Sequence, residues 1–191
     1  MKLVLGSTSP FRKAILDKLG LAYEVAAPEV DETAINNETP QQLVERLSIA
    51  KAKAVANKTA NALVIGSDQV AVINNEIVGK PHTHDNAVKQ LKNASGKTVT
   101  FYTGLCLYNS VTDQYQSEVV PFNVVFRELS DSQIEHYLQK EQPYNCAGSF
   151  KSEALGIVLF EKLEGDDPNT LMGLPLIRLV KMLEKEGFPV L

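Results

Sequence analysis

Apolar residues recur along this chain in two rhythms, short continuous runs and spaced stripes. Ala62-Leu63-Val64-Ile65-Gly66 is a continuous run and predicts a strand covered on both faces. Leu3-Val4-Leu5 predicts a similar strand, feeding the small-residue turn Gly6-Ser7-Thr8-Ser9. A helix starts there, with Ser9 placed to cap, Pro10 at the first helical position, and the run Ala14-Ile15-Leu16-Leu19 ending at Gly20. Thr39-Pro40-Gln41-Gln42 is a capping box opening a helix to about Asn57, with Leu43, Leu47, Ala50 and Ala54 on one face. Val70 to Val78, with Asn74-Asn75 in its middle, predicts a hairpin. A helix follows from His84 to Ala94, capped by Thr83 and stopped near Gly96.

The second half continues the alternation. Two long β-rich stretches, Thr98 to Tyr108 and Ser117 to Phe126, flank a polar turn at Thr112-Asp113. Ser130-x-x-Gln133 is a second capping box, for a helix to about Lys140. Tyr144 to Lys151 reads as a loop and Gly156 to Phe160 as a strand. Pro175 opens a last helix that carries Leu176, Leu179, Val180 and Leu183 inward. Helices interleaved with long adjacent strands predict an α/β fold with a mixed sheet. No linker, internal repeat or low-complexity tract interrupts residues 1–191, so a single domain is expected, or two tightly joined lobes.

Charge narrows the partners. The net charge is −4 and the pI about 5.4, which argues against a broad nucleic-acid-binding face. An anionic ligand would need a local cluster of Lys and Arg. Cys106 and Cys146 are far apart in sequence and lack metal-ligand spacing, so free thiols in a reducing cytosol are expected. The apolar start at Leu3 is too short for a secretory signal, and no apolar stretch is long enough to span a bilayer. The expectation is a cytoplasmic protein with no membrane partner.

Candidate chemistry sits where polar residues break the apolar runs. A strand, a small-residue turn and a helix start leave N–H groups pointing at one spot, which favours phosphate. Arg12 and Lys13 lie in the first helical turn, where the dipole disfavours cations, so an external anion would explain them; two solvated basic residues is the alternative. Asp68 follows the buried strand at its carboxyl end and can bind a divalent cation, activate a water, or bond its own turn. Asp31 and Glu32 in Val30-Asp31-Glu32-Thr33 offer metal donors or a solvated acidic loop. Gly79-Lys80-Pro81 aims a lysine with little freedom, or merely makes a turn. His82 and His84 fit a cap region without a third metal ligand, and His136 sits mid-helix. Asp166-Asp167-Pro168-Asn169 is an acidic turn. Ser7, Ser67 and Ser149 have no ordered histidine partner, which disfavours a serine hydrolase.

These pieces, taken in order, resemble one family. The strand-Ser7-x-Ser9-Pro10-x-Arg12 start, Val30-Asp31-Glu32, Ala50-Lys51-Ala52, Ile65-Gly66-Ser67-Asp68-Gln69, Gly79-Lys80-Pro81, Ala147-Gly148-Ser149-Phe150 and Met172-Gly173-Leu174-Pro175 are similar to the motifs of the Maf family of nucleoside triphosphate pyrophosphatases. The resemblance runs from Leu3 to the last helix. It implies an elongated mixed β-sheet flanked by helices, similar to the inosine triphosphate pyrophosphatases. It also implies hydrolysis of a nucleoside triphosphate to the monophosphate and pyrophosphate with a divalent cation, Mg²⁺ or Mn²⁺, and a homodimer.

The same resemblance assigns roles. Ser7 and the turn N–H groups would hold phosphate oxygens, and Arg12 would add a forked contact. Lys51 and Lys80 would neutralise charge on the departing pyrophosphate. Glu32 and Asp68 would hold the metal, and Asp68 matches the family's proton acceptor. Lys53 is left as a solvated residue. Ser67-Asp68-Gln69, Cys146 to Glu153 and Asp167-Pro168-Asn169-Thr170 resemble the branch acting on 7-methyl-GTP, where the dTTP and UTP branch has Gly-Ala-Asp-Thr at 66–69. Phe11, Gln69 and Glu153 would then set base preference. An aromatic face and a carboxylate both favour the cationic methylated guanine. Phe11 stands where that branch often has tryptophan, and a core contact for Phe11 or a plain surface place for Glu153 is the competing reading. Rivals at the level of function are a dTTP/UTP pyrophosphatase of the same family and a nucleotide-binding regulator of septum formation without significant catalysis.

Overall fold

The computed structural model describes Met1–Leu191. Its elements are β1 (Lys2–Leu5), α1 (Pro10–Leu16), β2 (Glu24–Val25), α2 (Pro40–Ala56), β3 (Ala62–Ile73), β4 (Glu76–Val78), α3 (His84–Ala94), β5 (Thr98–Asn109), β6 (Gln114–Phe126), α4 (Asp131–Glu141), β7 (Phe160–Glu164) and α5 (Leu176–Lys185). The capping signals act as read: Ser9, Thr39, Thr83 and Ser130 each accept from a first-turn N–H, and Thr39 and Ser130 form complete capping boxes. The seven strands form one sheet in the order β2-β1-β3-β5-β6-β7, with β4 paired to β3. β1 pairs in parallel with β2 and β3, whereas β3–β4 and β6–β7 are antiparallel. The sheet is mixed, as the interleaved pattern predicts.

The chain forms two compact units. The first comprises Met1–Gln69, Tyr102–Val120 and Asp167–Leu191. Here the strand residues alternate cleanly. Leu3, Leu5, Leu63, Ile65, Leu105 and Leu107 pack with Ile15 and Leu16 of α1 and with Leu176, Leu179, Met182 and Leu183 of α5. Val4, Ala62, Val64, Cys106 and Tyr108 pack with Ala52, Val55 and Ala56 of α2. Both faces are covered, which is why the runs carry no polar positions. Burial pushes the Cys106 thiol up to about 12, and both cysteines are free.

The second unit comprises Val70–Phe101 and Pro121–Asp166. Its centre is a set of edge-to-face rings: Phe150 lies 5.7 Å from Phe101, 5.3 Å from Phe126 and 5.2 Å from Phe160 between centroids. Asn74 and Asn75 both take positive φ at the β3–β4 turn, the conformation that a two-residue hairpin requires.

Three sequence expectations change. The buried run does not stop at Gly66. β3 continues through Ser67, Asp68 and Gln69 to Ile73, so Asp68 lies inside the strand rather than past its carboxyl end. The polar residues are tolerated there because each finds a partner within the first unit, as described below. Second, α2 buries Leu43 and Leu47 as expected, but the rest of its buried face is Val44, Ser48, Lys51, Ala52, Val55 and Ala56, while Ala50 and Ala54 are only half-buried. Glycines set that rotation. A Cβ at Gly66 would lie 2.2 Å from Ser48 O and 2.7 Å from Ala52 N, and one at Gly104 would lie 2.1 Å from Val44 O. Third, residues 155–159 form a 3₁₀ turn, and the strand is Phe160–Glu164. Gly156 N–H donates to Lys151 O at 3.0 Å and Glu141 accepts from Leu155 N–H, which curls the chain before it can extend.

Gly66→Ala should therefore destabilise the protein by about 3 kcal/mol, the upper end of overpacking costs, because backbone rather than a flexible side chain blocks the new methyl. The urea midpoint of the variant measures this. An unchanged midpoint would mean that α2 can part freely from β3.

Candidate active site

The period of β3 divides its polar residues between two faces. Gly66 and Asp68 turn toward α2, where Lys51 Nζ lies 2.7 Å from Asp68 Oδ1. Ser67 and Gln69 turn the other way. Ser67 Oγ donates to Gly173 O at 2.8 Å, and Gln69 Nε2 lies 2.8 Å from both Thr103 Oγ1 and Thr170 O.

Lys51 is buried, and its ammonium also lies 2.9 Å from Glu32 Oε1. The two carboxylates expected to work together therefore face one point, although they arrive from a loop and a central strand. Asp68 is buried and Glu32 is exposed. Burial pushes the Asp68 carboxyl above the usual carboxylate range, while Lys51 and Arg12 pull it down and Glu32 adds to the rise. Burial likewise lowers Arg12, with Asp68 and Glu32 opposing; a guanidinium stays charged regardless.

Arg12 is held from behind. Its Nε donates to Gly173 O at 2.9 Å, leaving the rest of the fork free to face Ser7, whose Oγ lies 3.5 Å from Nη1. Gly173 takes φ +100, and its carbonyl also accepts from Ser67, so one backbone oxygen aligns a residue from α1 and one from β3. The Met172-Gly173-Leu174-Pro175 motif is in the sequence, but nothing in it tells that this carbonyl is an anchor. Asp167 is a structural cap: buried, it accepts from Asn169 N–H and from Ile177 N–H at the start of α5.

Gly6, Ser7, Ser9, Arg12, Glu32 and Lys51 line a hollow of about 270 Å³ in the first unit. A larger hollow of about 600 Å³ lies along α2. Its Arg46 is closed on Glu38 through a two-pronged ion pair at 2.6 and 2.9 Å, so it offers no free cation. Charge, not volume, selects the smaller one. Phe11, next to Arg12 in sequence, is 47% exposed, which leaves much of its ring open to a ligand.

Lys80 and Glu153 belong to the second unit and are exposed. Gly79 O, next to Lys80, accepts from Gln90 Nε2 at 3.1 Å and from Gly148 N–H at 3.3 Å, so the lysine stands on a fixed backbone. Both Lys80 and Glu153 act electrostatically on Cys146, with opposite signs. His84 bonds Tyr144 and Glu135 at 2.9 Å each. Lys53 is exposed. No group of three or more His, Cys, Asp or Glu is arranged for a metal ion. Glu32 and Asp68 still suit a hard cation that takes one or two carboxylates and completes its shell with phosphate and water.

Gln69 has its amide committed to the 170–171 turn. Gln69→Ala should lower stability by about 1–3 kcal/mol, because it strips donors from buried acceptors. A thermal midpoint equal to that of the parent would instead make Gln69 a group that only meets ligand.

The family profile described as "Maf-like protein" matches residues 2–186. A protein of Colwellia psychrerythraea named "7-methyl-GTP pyrophosphatase" is 65% identical over 189 residues, 99% of this chain and 94% of that one. One of Nitrosococcus oceani with the same name is 57% identical over 189 residues, 99% of this chain and 95% of its own. Among solved structures, a HAM1 protein from Coxiella burnetii aligns with a TM-score of 0.49 at 15% identity, covering 80% of this chain and 88% of the other. No helix is long and apolar enough to cross a membrane.

Proposed function

The chain belongs to the Maf family, and from that premise we propose that it hydrolyses the α–β phosphoanhydride of 7-methyl-GTP, giving the monophosphate and pyrophosphate. The observation that carries this reading is the meeting of Ser7, Arg12, Glu32 and Lys51 around one hollow, with Asp68 joined to it through its ion pair with Lys51. A nucleotide sensor needs the cations alone; two carboxylates trained on the same point are what a hydrolase adds. The names carried by relatives at 65% and 57% identity support the choice of base.

In this reading Ser7 and Arg12 bind phosphate oxygens, and Arg12 is pre-aimed by Gly173, so little side-chain freedom is lost on binding. Lys51 and Lys80 balance charge on the departing pyrophosphate. Asp68 accepts the proton of the attacking water, a role that burial assists by raising its affinity for a proton. The cofactor is Mg²⁺ or Mn²⁺, held by Glu32 and Asp68, and it supplies charge stabilisation on the phosphates when bound. Phe11 and Glu153 read the methylated base in this reading, and Gln69 holds the 170–171 turn. The active form in this reading is a cytoplasmic homodimer.

A panel of nucleoside triphosphates, incubated with magnesium and assayed for pyrophosphate, tests the reaction. Pyrophosphate release should be fastest with 7-methyl-GTP, stop with EDTA, and fall about a hundredfold or more in Asp68→Asn. Orthophosphate and a diphosphate as sole products would refute the reading.

Base recognition has its own test. Phe11→Ala should cost 7-methyl-GTP more than GTP, by a few-fold to about thirtyfold in kcat/KM, the reach of a cation–π contact of about 0.5–2 kcal/mol. Phe11→Trp should hold or improve the preference. Equal losses for both nucleotides would make the ring a wall of the hollow.

A further inference from the structure

The place where Glu32 and Asp68 converge already contains a positive charge. Lys51 Nζ lies 2.9 Å from Glu32 Oε1 and 2.7 Å from Asp68 Oδ1, within hydrogen-bond reach of both. It does not reach them by chance of a mobile surface arm: the lysine side chain is 8% exposed, and its helix is locked to β3 over Gly66. Arg12 supplies a second positive charge that acts on the same two carboxylates. Two anions thus face two cations, and the cluster is balanced before any ligand arrives.

We propose that Lys51 is a stand-in cation that holds the divalent ion's seat between Glu32 and Asp68 until nucleotide arrives, so that the metal enters with the triphosphate rather than ahead of it. This rests on the reading of Glu32 and Asp68 as metal donors. The argument is one of charge and space. Mg²⁺ binds oxygen ligands at about 2.0–2.1 Å, closer than the ammonium now stands to the same oxygens. The two cations cannot share that seat, and each repels the other strongly in a partly buried site. A free metal ion would have to displace Lys51 with no new partner for the ammonium. A polyphosphate provides that partner. Lys51 carries its charge on a flexible four-carbon stem with three rotatable donors, so it can turn from carboxylate to phosphate while its helix stays in place. The carboxylates are then released to the ion that the polyphosphate brings. Lys51 would act twice, first as a guard of the empty seat and then as a phosphate ligand.

The test reads metal binding without turnover. Mn²⁺ is titrated into the intact protein, without nucleotide, and free ion is followed by electron paramagnetic resonance. Lys51→Met, which keeps an unbranched stem and removes the charge, should bind one Mn²⁺ at least about tenfold more tightly than the parent protein. Adding Asp68→Asn to Lys51→Met should abolish that gain. Lys51→Gln serves as the second neutral variant, with folding of each checked by circular dichroism. Equal Mn²⁺ affinity in the parent and in a folded neutral variant would overturn the proposal. So would a gain that survives Asp68→Asn. Either result alongside normal pyrophosphate release by the parent removes the stand-in role alone, whereas a parent that releases no pyrophosphate removes the hydrolase reading itself.

Discussion

The close approach of α2 to β3 is the constraint on which the site depends. At Gly66 the strand meets backbone atoms of Ser48 and Ala52 with no room for a single methyl group. At Gly104, on β5, the same helix comes as near through Val44. These contacts fix both the depth and the rotation of α2. Lys51 follows Ser48 by one helical turn, and Asp68 follows Gly66 by one pleat, so the contact that seats Ser48 on Gly66 also seats Lys51 on Asp68. A bulkier residue at 66 would lift the helix and separate the pair. The ion pair is a product of the packing, not its cause.

Around that pair the molecule keeps charges in partial compensation. Asp68 is buried deeply enough for its proton affinity to rise, yet two cations hold it in check. Arg12 loses hydration but gains Gly173 O as a rigid support. The turn at 170–173 is in turn held by Gln69 and Ser67, so the alignment of Arg12 depends on the far face of β3. The side chains that meet phosphate in this reading are therefore supported by residues that never meet it. Such support limits how far a charged group can wander before substrate binds.

Much of this was readable in the sequence, for local reasons. Capping boxes, the Asn74-Asn75 hairpin and the proline-started helices are chemistry within a few residues, and each formed where its residues stand. The sheet was legible because two-sided burial removes polar residues from Leu3-Val4-Leu5 and Ala62 to Ile65. What stayed hidden was the set of partners supplied from a distance. The polar trio Ser67, Asp68 and Gln69 reads as the end of a strand until Gly173, Lys51 and Thr170 are placed beside it. Residues 156–160 read as a strand because their apolar run is right, but hydrogen bonds donated by Gly156 N–H to Lys151 O and by Leu155 N–H to Glu141 curl the chain. Alanines 50 and 54 are apolar and correctly spaced with the buried Leu43 and Leu47, yet the close contacts at the glycines of two strands rotate the buried face toward Ser48, Lys51 and Ala52. Among the candidate site residues, Ser7, Arg12, Glu32, Lys51 and Asp68 were named from the sequence and stand together. The anchoring carbonyl of Gly173 carries no side-chain signal at all.

The uninterrupted course of β3 through Asp68 makes chain length itself a two-valued property of the site. Side chains on a strand swap sides with every step, so the carboxylate at 68 and the amide at 69 keep their separate audiences only in one parity. A single residue inserted between Ile65 and Asp68 would turn the carboxylate toward Gly173 and the amide toward Lys51, with every composition-level feature of the chain intact. Two inserted residues would restore the sides and merely lengthen the strand. The stretch from Ile65 to Asp68 can therefore change in length only in pairs if the carboxylate and the amide are to keep their sides.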